Sequence, residues 1–295
     1  MVGRESGRRG TSAVVVGAVV CAGLAGAGCA GQGAAGRDGP PGDPVRVLQR
    51  AADRLVAAGT SRARTAMEMA SGGTRVTIRG EGVYDFRERL GRLKVRLPPG
   101  PAGSGGRRPI TELLTPDALF MKNRGAGVPD DKWVRVTTAT LSDGNLVTGG
   151  ATDPFAAAEV LRGTRTATYV GRTEVAGTGV RHYRGTADLA RAARAASDGT
   201  REALAAAADG FATAEVPFDV YLDDEGRIRK IRHRFSFTNR QGDGTVAVSS
   251  TTLLYEFGTA VRVRLPEADD IYAGKIAEEA GEAPGGAGGG ADGKD

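Results

Sequence analysis

The stretch from residue 169 to residue 189 reads Tyr169-Val-Gly-Arg-Thr-Glu-Val-Ala-Gly177-Thr178-Gly179-Val-Arg-His182-Tyr183-Arg-Gly-Thr-Ala-Asp-Leu189. Two β-prone runs flank Gly177-Thr178-Gly179. Tight hairpin loops use positive φ, which costs a residue with a Cβ, so glycine here marks a turn. A second hairpin is expected over Val216–Phe237, turning at Asp224-Glu225-Gly226. Its arms carry Phe218, Val220 and Leu222 on one face, then Ile231, His233, Phe235 and Phe237 against Arg232 and Arg234. Two long hairpins in succession read as an antiparallel meander.

Outward from this meander, other segments alternate in the same way. Arg62–Ala70 puts Ala63, Thr65, Met67 and Met69 on one face. Thr74–Phe86 alternates through Val76 and Ile78. Arg89–Leu97 sets Leu93, Val95 and Leu97 against Arg92, Lys94 and Arg96. Leu113–Lys122, which contains Leu119 and Met121, is expected to be one strand. Lys132–Thr137, Thr245–Phe257 and Val261–Leu265 complete the set. One apolar face and one wet face is the mark of an antiparallel sheet.

Helices are fewer. Asp43-Pro44 is an N-cap followed by proline at the first helical position. Val45, Leu48, Leu55 and Val56 then recur at helical spacing up to Gly59, so one helix is expected over Pro44–Ala58. Asp153-Pro154 repeats the device before a helix at Pro154–Arg162. Asp188–Phe211 is rich in alanine and broken at Ser197-Asp198-Gly199. Alanine favours helix but offers little to pack, so this pair is expected at the surface with partial order. Pro98–Arg108 and Thr140–Ala151 read as surface loops. Trp133, the single tryptophan, is expected to be a buried structural ring.

The fold class is therefore α+β: one antiparallel sheet of about ten strands, which must curl because strands twist. A few helices cover its concave, apolar face. Where they cover it incompletely, a hydrophobic cleft remains. The lining residues expected on that basis are Val45, Leu48 and Leu55 from the first helix. From the sheet come Met67, Met69, Ile78, Leu93, Val95, Leu119, Met121, Phe218, Val220, Leu222, Phe235 and Phe237.

Composition removes several function classes. Among 295 residues the net charge is +5, spread along strands and not gathered in a run, so nucleic acid is not an expected partner. Cys21 and Cys29 lie near the start, and His182 and His233 are the only histidines. A zinc site on cysteine and histidine is excluded in practice. No phosphate-binding loop, dinucleotide fingerprint or nucleophile elbow occurs. Asp223-Asp224-Glu225-Gly226 is too short for a helix–loop–helix calcium site and suits a hairpin turn. His182 and Tyr183 face opposite ways on a strand, so they form no site together, and His182 is expected to have a structural hydrogen-bond partner. Neither catalytic residues, nor a cofactor, nor a metal is expected.

The first 29 residues read as a signal segment, with Arg4, Arg8 and Arg9 before the apolar Ala13–Leu24. Leu24-Ala-Gly-Ala-Gly-Cys29 resembles a bacterial lipobox, departing from it at Gly26, where leucine is preferred. It implies that Cys29 carries acyl chains such as palmitate. Ala30–Gly42 reads as a flexible tether, 43–272 as the folded domain, and Ala273–Asp295 as a disordered tail.

Val170-Gly171, Glu174-Val175, Gly177, His182-Tyr183, Pro217, Leu222-Asp223 and Gly226-Arg227 together resemble the actinobacterial lipoproteins of the LppX/LprG type, which share the LolA-like fold. The resemblance spans roughly Asp43 to Tyr272. It implies a half-barrel closed by helices that carries or chaperones a lipid by shape and apolar lining. The chain is expected to be a monomer, anchored through Cys29 to the outer face of the cell membrane, with a lipid or other apolar molecule as ligand and a protein of the envelope as a further partner. The matching positions Gly171, Glu174, Gly177, His182, Tyr183 and Gly226 are framework positions, not binding residues. The competing reading is an envelope sensor or regulatory module that uses the same fold to bind a protein without a lipid.

Overall fold

The hairpin at 169–189 forms, but its turn is shorter and earlier than the glycines imply. In the computed structural model, β7 (Thr164–Val175) pairs with β8 (Thr178–Asp188), with Val175 opposite Thr178. The loop is thus two residues, Ala176 at φ 49° and Gly177 at φ 78°. Positive φ at both central residues is the type I′ turn, whose twist matches that of the flanking strands. Thr178 and Gly179 already belong to β8. The second hairpin pairs β9 (Glu215–Leu222) with β10 (Ile228–Thr238). The Asp223 carboxylate holds its turn, accepting from the backbone N–H of Glu225 at 3.1 Å and of Arg227 at 2.9 Å.

The structure describes residues 42–273, apart from 72–73, 99–107, 126, 149–151 and 239–244. The signal segment, the Cys29 anchor, most of the tether, most of the Pro98–Arg108 loop and the tail beyond 273 lie outside the described residues.

Four more strands follow one another from the start of the sheet: β1 (Thr60–Ser71), β2 (Thr74–Asp85), β3 (Leu90–Arg96) and β4 (Ile110–Leu114). Then come β5 (Ala118–Lys122) and β6 (Trp133–Thr137), while β11 (Thr245–Tyr255) ends the series. The expected single strand Leu113–Lys122 is therefore two. Thr115 Oγ1 accepts from the Ala118 N–H at 3.0 Å and closes the turn between them. All eleven strands form one antiparallel sheet in the order β6-β5-β4-β3-β2-β1-β11-β10-β9-β8-β7. It consists of two meanders joined where β1 pairs with β11. The sheet is not closed into a barrel, because β6 and β7 stand at its two ends.

The chain returns from β6 to β7 across the concave face, and this return supplies much of the cover. Leu146 is fully buried there, and Asp143 accepts from the Asn145 and Val147 N–H groups at 3.0 and 2.9 Å. The polar loop expected over Thr140–Ala151 is thus a packed segment where described. The first helix is interrupted at Arg50 into α1 (Pro44–Gln49) and α2 (Ala51–Ala58). Asp43 and Asp153 cap α1 and α3 (Pro154–Val160) through their carboxylates, as their sequence context requires.

The alanine-rich pair, α4 (Leu189–Ala195) and α5 (Arg201–Gly210), is not peripheral. Leu189, Ala192, Ala193, Ala203, Leu204 and Ala207 are all buried. Small side chains serve here by letting backbones meet. A Cβ at Gly210 would lie 1.8 Å from the Ser142 carbonyl oxygen, and one at Gly144 would lie 2.0 Å from that of Ala203. Val261–Leu265, expected as a strand, joins no ladder. It runs over the convex face, where Val263 packs with Leu113, Ala118, Phe120, Ile271 and the half-buried Trp133.

Candidate ligand-binding cavity

Most of the residues expected to line a cleft meet in a closed core. Leu48 of α1 and Leu55 of α2 are 0% exposed and share one contiguous cluster with Leu93, Val95, Phe218 and Val220 of the sheet. Met67, Ile78, Leu119, Met121, Leu222 and Phe235 belong to the same cluster. Met69 and Phe237 are half-buried against it. On α1, Val47 packs on the core, while Val45 is half-buried outside it. The six-residue helix therefore turns a different valine inward than the spacing from 45 to 48 indicates.

Open volume lies beyond this core, at the end of the sheet where β1 ends and β2 and β4 begin. A cavity of about 650 Å³ is walled there by Met69, Ile78, Leu97, Ile110, Val128 and Val147. That size falls within the roughly 300–1,000 Å³ typical of small-molecule sites. Met69 and Ile78 are the two members of the expected lining that reach it. Leu97 and Ile110 were within reach of the sequence, since Leu97 continues the alternation of Leu93 and Val95. Val128 and Val147 carry no periodic signal, because turn geometry aims them.

The rim is polar. Arg108 and Asp130 form an exposed ion pair at 2.8 Å. The Asn123 amide donates to the Pro109 carbonyl at 3.1 Å, and the Arg124 guanidinium donates to the Thr148 carbonyl at 3.3 Å. Apolar walls with guanidinium groups at the mouth suit a molecule with an apolar body and a polar or anionic end.

Two buried ionisable groups mark the concave face. Glu112 of β4 is fully buried, and neither carboxylate oxygen has a hydrogen-bond partner among the described residues. Burial pushes its carboxyl up to about 8, against a weaker opposing pull from Arg124. His233 of β10 is also buried, its Nε2 has no partner among the described residues, and burial pushes its imidazole down to about 3. Both groups are therefore neutral at pH 7.

His182 lies on the other face, as its strand position requires. Its Nε2 is 2.8 Å from Asp219 Oδ1, and its ring stacks on Tyr221 at 4.3 Å. Asp219 also accepts from Arg184 at 3.0 Å and Arg234 at 2.7 Å. Burial alone would raise its carboxyl, but the hydrogen bonds from Arg234, His182 and Arg184 outweigh it and hold the group at about 2. Tyr183 points the opposite way and is fully buried in the core. Among the described residues no three His, Cys, Asp or Glu side chains converge as a metal site. No helix among them is long and apolar enough to cross a membrane.

No protein-family model matches the sequence, and no curated protein matches it. Solved structures similar to this chain include the Mycobacterium tuberculosis lipoprotein LppX, at 9% identity and a TM-score of 0.44, covering 76% of this chain and 100% of LppX. LprF from Mycobacterium bovis is similar at 14% identity and a TM-score of 0.38, covering 76% of this chain and 96% of LprF. A LolA superfamily protein from Nitrosomonas europaea is similar at 10% identity and a TM-score of 0.33, covering 72% and 94% of the two chains. The architecture described above, one open antiparallel sheet of eleven strands with a few helices, is the α+β single-sheet arrangement expected from the alternation of the strands.

Proposed function

We propose that this chain is an extracytoplasmic lipoprotein that binds and carries or chaperones a lipid or other apolar molecule of the envelope. The observation that carries the reading is the cavity of about 650 Å³, with Met69, Ile78, Leu97, Ile110, Val128 and Val147 on its walls and Arg108, Arg124 and Asp130 at its mouth, set at the open end of the concave face. Its apolar walls would take an acyl chain, and the Arg108 and Arg124 guanidinium groups would face the headgroup. A longer chain would extend inward by parting α1 and α2 from the sheet, exchanging contacts of Leu48 and Leu55 for contacts with ligand. Cys29 would carry the acyl anchor, and Cys29→Ser would then release the chain from the membrane fraction.

The test is native mass spectrometry of the full chain purified from its own host. A mass excess that is lost on organic extraction is expected. Val128 is half-buried in the cavity wall. Val128→Asp places an unpaired carboxylate where the acyl chain would lie, which is costly to desolvate. The variant is expected to fold and to lose the adduct. A parent chain with no adduct, and no uptake of a fluorescent fatty acid, would end the carrier reading. The regulatory reading would then take its place, because the close packing of Leu48 and Leu55 is what a protein-binding module with a filled interior would have.

A further inference from the structure

The convex face of the sheet carries a cationic patch that the cavity does not use. Strand β3 alternates buried Gly91, Leu93 and Val95 with exposed Arg92, Lys94 and Arg96. Arg79 of β2 stands directly opposite Arg96. Like charges facing each other across strands are destabilising. None of these four cations takes part in an ion pair among the described residues. Glu81, which stands opposite Lys94, is held by Arg62 at 3.6 Å and Arg64 at 3.3 Å. Of the other carboxylates on these rows, Glu68 lies opposite Thr77, and Asp85, opposite Leu90, accepts from the backbone N–H groups of Arg87 and Glu88.

Next to the patch is a groove of about 430 Å³. Arg92, Thr111, Leu113 and Trp133 line it from the sheet, and Arg262, Val263 and Arg264 line it from the segment crossing over. Arg262 and Arg264 are exposed and unpaired among the described residues, while Trp133 and Val263 are half-buried. The Lys122 ammonium lies 5.6 Å from the indole centroid. An apolar floor, an amphipathic indole and several uncompensated cations therefore share one surface.

We propose that this face docks on an anionic bilayer, with phospholipid phosphates seated among Arg92, Arg262 and Arg264 and the indole at headgroup depth. Charge complementarity selects this occupant, since a basic side chain near an anionic membrane gains about 1 kcal/mol, and tryptophan concentrates at the membrane interface. Guanidinium groups also pair with phosphate oxygens in bidentate fashion. The inference rests on the envelope location proposed above, but not on what the cavity holds.

The test is flotation of the full chain carrying Cys29→Ser, so that no acyl anchor contributes. Vesicles of phosphatidylcholine alone are compared with vesicles that also contain phosphatidylglycerol. Binding is expected on the anionic vesicles only, weakening as salt screens it. Trp133 is the single tryptophan of the chain, so a blue shift of its emission reads the groove directly. Arg92→Gln with Arg96→Gln should weaken binding by on the order of 30-fold, from about 1 kcal/mol per charge. Arg46→Gln with Arg201→Gln removes the same net charge elsewhere and should change it little. Equal binding to both vesicle types, or equal loss in both double variants, would overturn the proposal. So would capture by polyglutamate with no flotation, which would assign the face to an acidic protein. A chain that floats but carries no cavity lipid would defeat only the carrier reading.

Discussion

At the scale of single residues, the concave face holds a buried carboxyl, Glu112, and a buried imidazole, His233, whose Oε1, Oε2 and Nε2 atoms lack hydrogen-bond partners among the described residues. Glu112 is opposite Leu93 in β3 and Met121 in β5, with no partner for its carboxylate among the described residues. Its folded value is about 8, against 4.5 for a free glutamate. As pH rises through that window, the unfolded chain releases a proton that the folded chain keeps, so stability falls by about 1.4 kcal/mol per pH unit. His233 works the other way, with a folded value of about 3 against 6.5 when free. As pH falls from 6.5 towards 3, the unfolded chain gains a proton that the folded chain refuses, and stability again drops. Between 4.5 and 6.5 these two slopes cancel, and Asp153, whose carboxyl burial lifts from 3.8 to about 6, adds its own decline in stability with rising pH through most of that window. Glu112→Gln keeps the shape and removes one titration. It should stabilise the chain above pH 6.5 in urea melts, with the gain vanishing towards pH 4.5. A constant offset at every pH would show that Glu112 is not held neutral. His233 was legible as a residue on the apolar face of its strand. Glu112 was not, because the expected strand began at Leu113 and left the acid outside it.

At the scale of elements, sequence reading succeeds where the signal is local. The Asp-Pro caps, the alternation of β3 and the break at Ser197-Asp198-Gly199 all act within a few residues, and each lies where expected. The turn between β7 and β8 shows the limit. Three residues, Gly177-Thr178-Gly179, advertise flexibility, yet cross-strand register selects Ala176 and Gly177. Ala176 therefore sits at φ 49°, where a Cβ is unfavourable. Ala176→Asn places a residue that tolerates this region at a type I′ position, and should stabilise the chain by about 0.5–1 kcal/mol. Differential scanning calorimetry checks this; an unchanged or lowered midpoint would mean that the alanine is not strained. The α4–α5 pair shows a second limit. Alanine is a poor packer by composition alone, but its contribution here depends on the approach of Ser142 and Gly144, some sixty residues away along the chain. Non-local closeness of that kind leaves no periodic trace.

At the scale of the whole molecule, an open sheet must protect both of its edges from pairing with another chain. Strand β7 does so with irregularities between Thr164 and Thr166 and between Tyr169 and Gly171, which interrupt its ladder. Strand β6 is protected differently. Ile271 bridges to Trp133, and the Tyr272 N–H donates to the Trp133 carbonyl at 2.8 Å. Ile271 also packs with Leu113, Ala118 and Phe120, while the Lys132 ammonium donates to the Asp269 carbonyl at 2.7 Å. The sequence could not announce this, since Ile271 and Trp133 are far apart in the chain and Val261–Leu265 alternates as a strand would. A chain ending at Ala273 should be compared with one ending at Pro266, so that only the covering residues differ. Losing two backbone-carbonyl hydrogen bonds and a partly buried isoleucine should cost about 2–4 kcal/mol. For a domain of this size that lowers the thermal midpoint by on the order of 5–10 °C. The uncovered β6 edge and outer apolar cluster should also make the shorter chain self-associate, which sedimentation velocity would detect. If both chains melt together and remain monomeric, the terminal segment rests on the edge without protecting it.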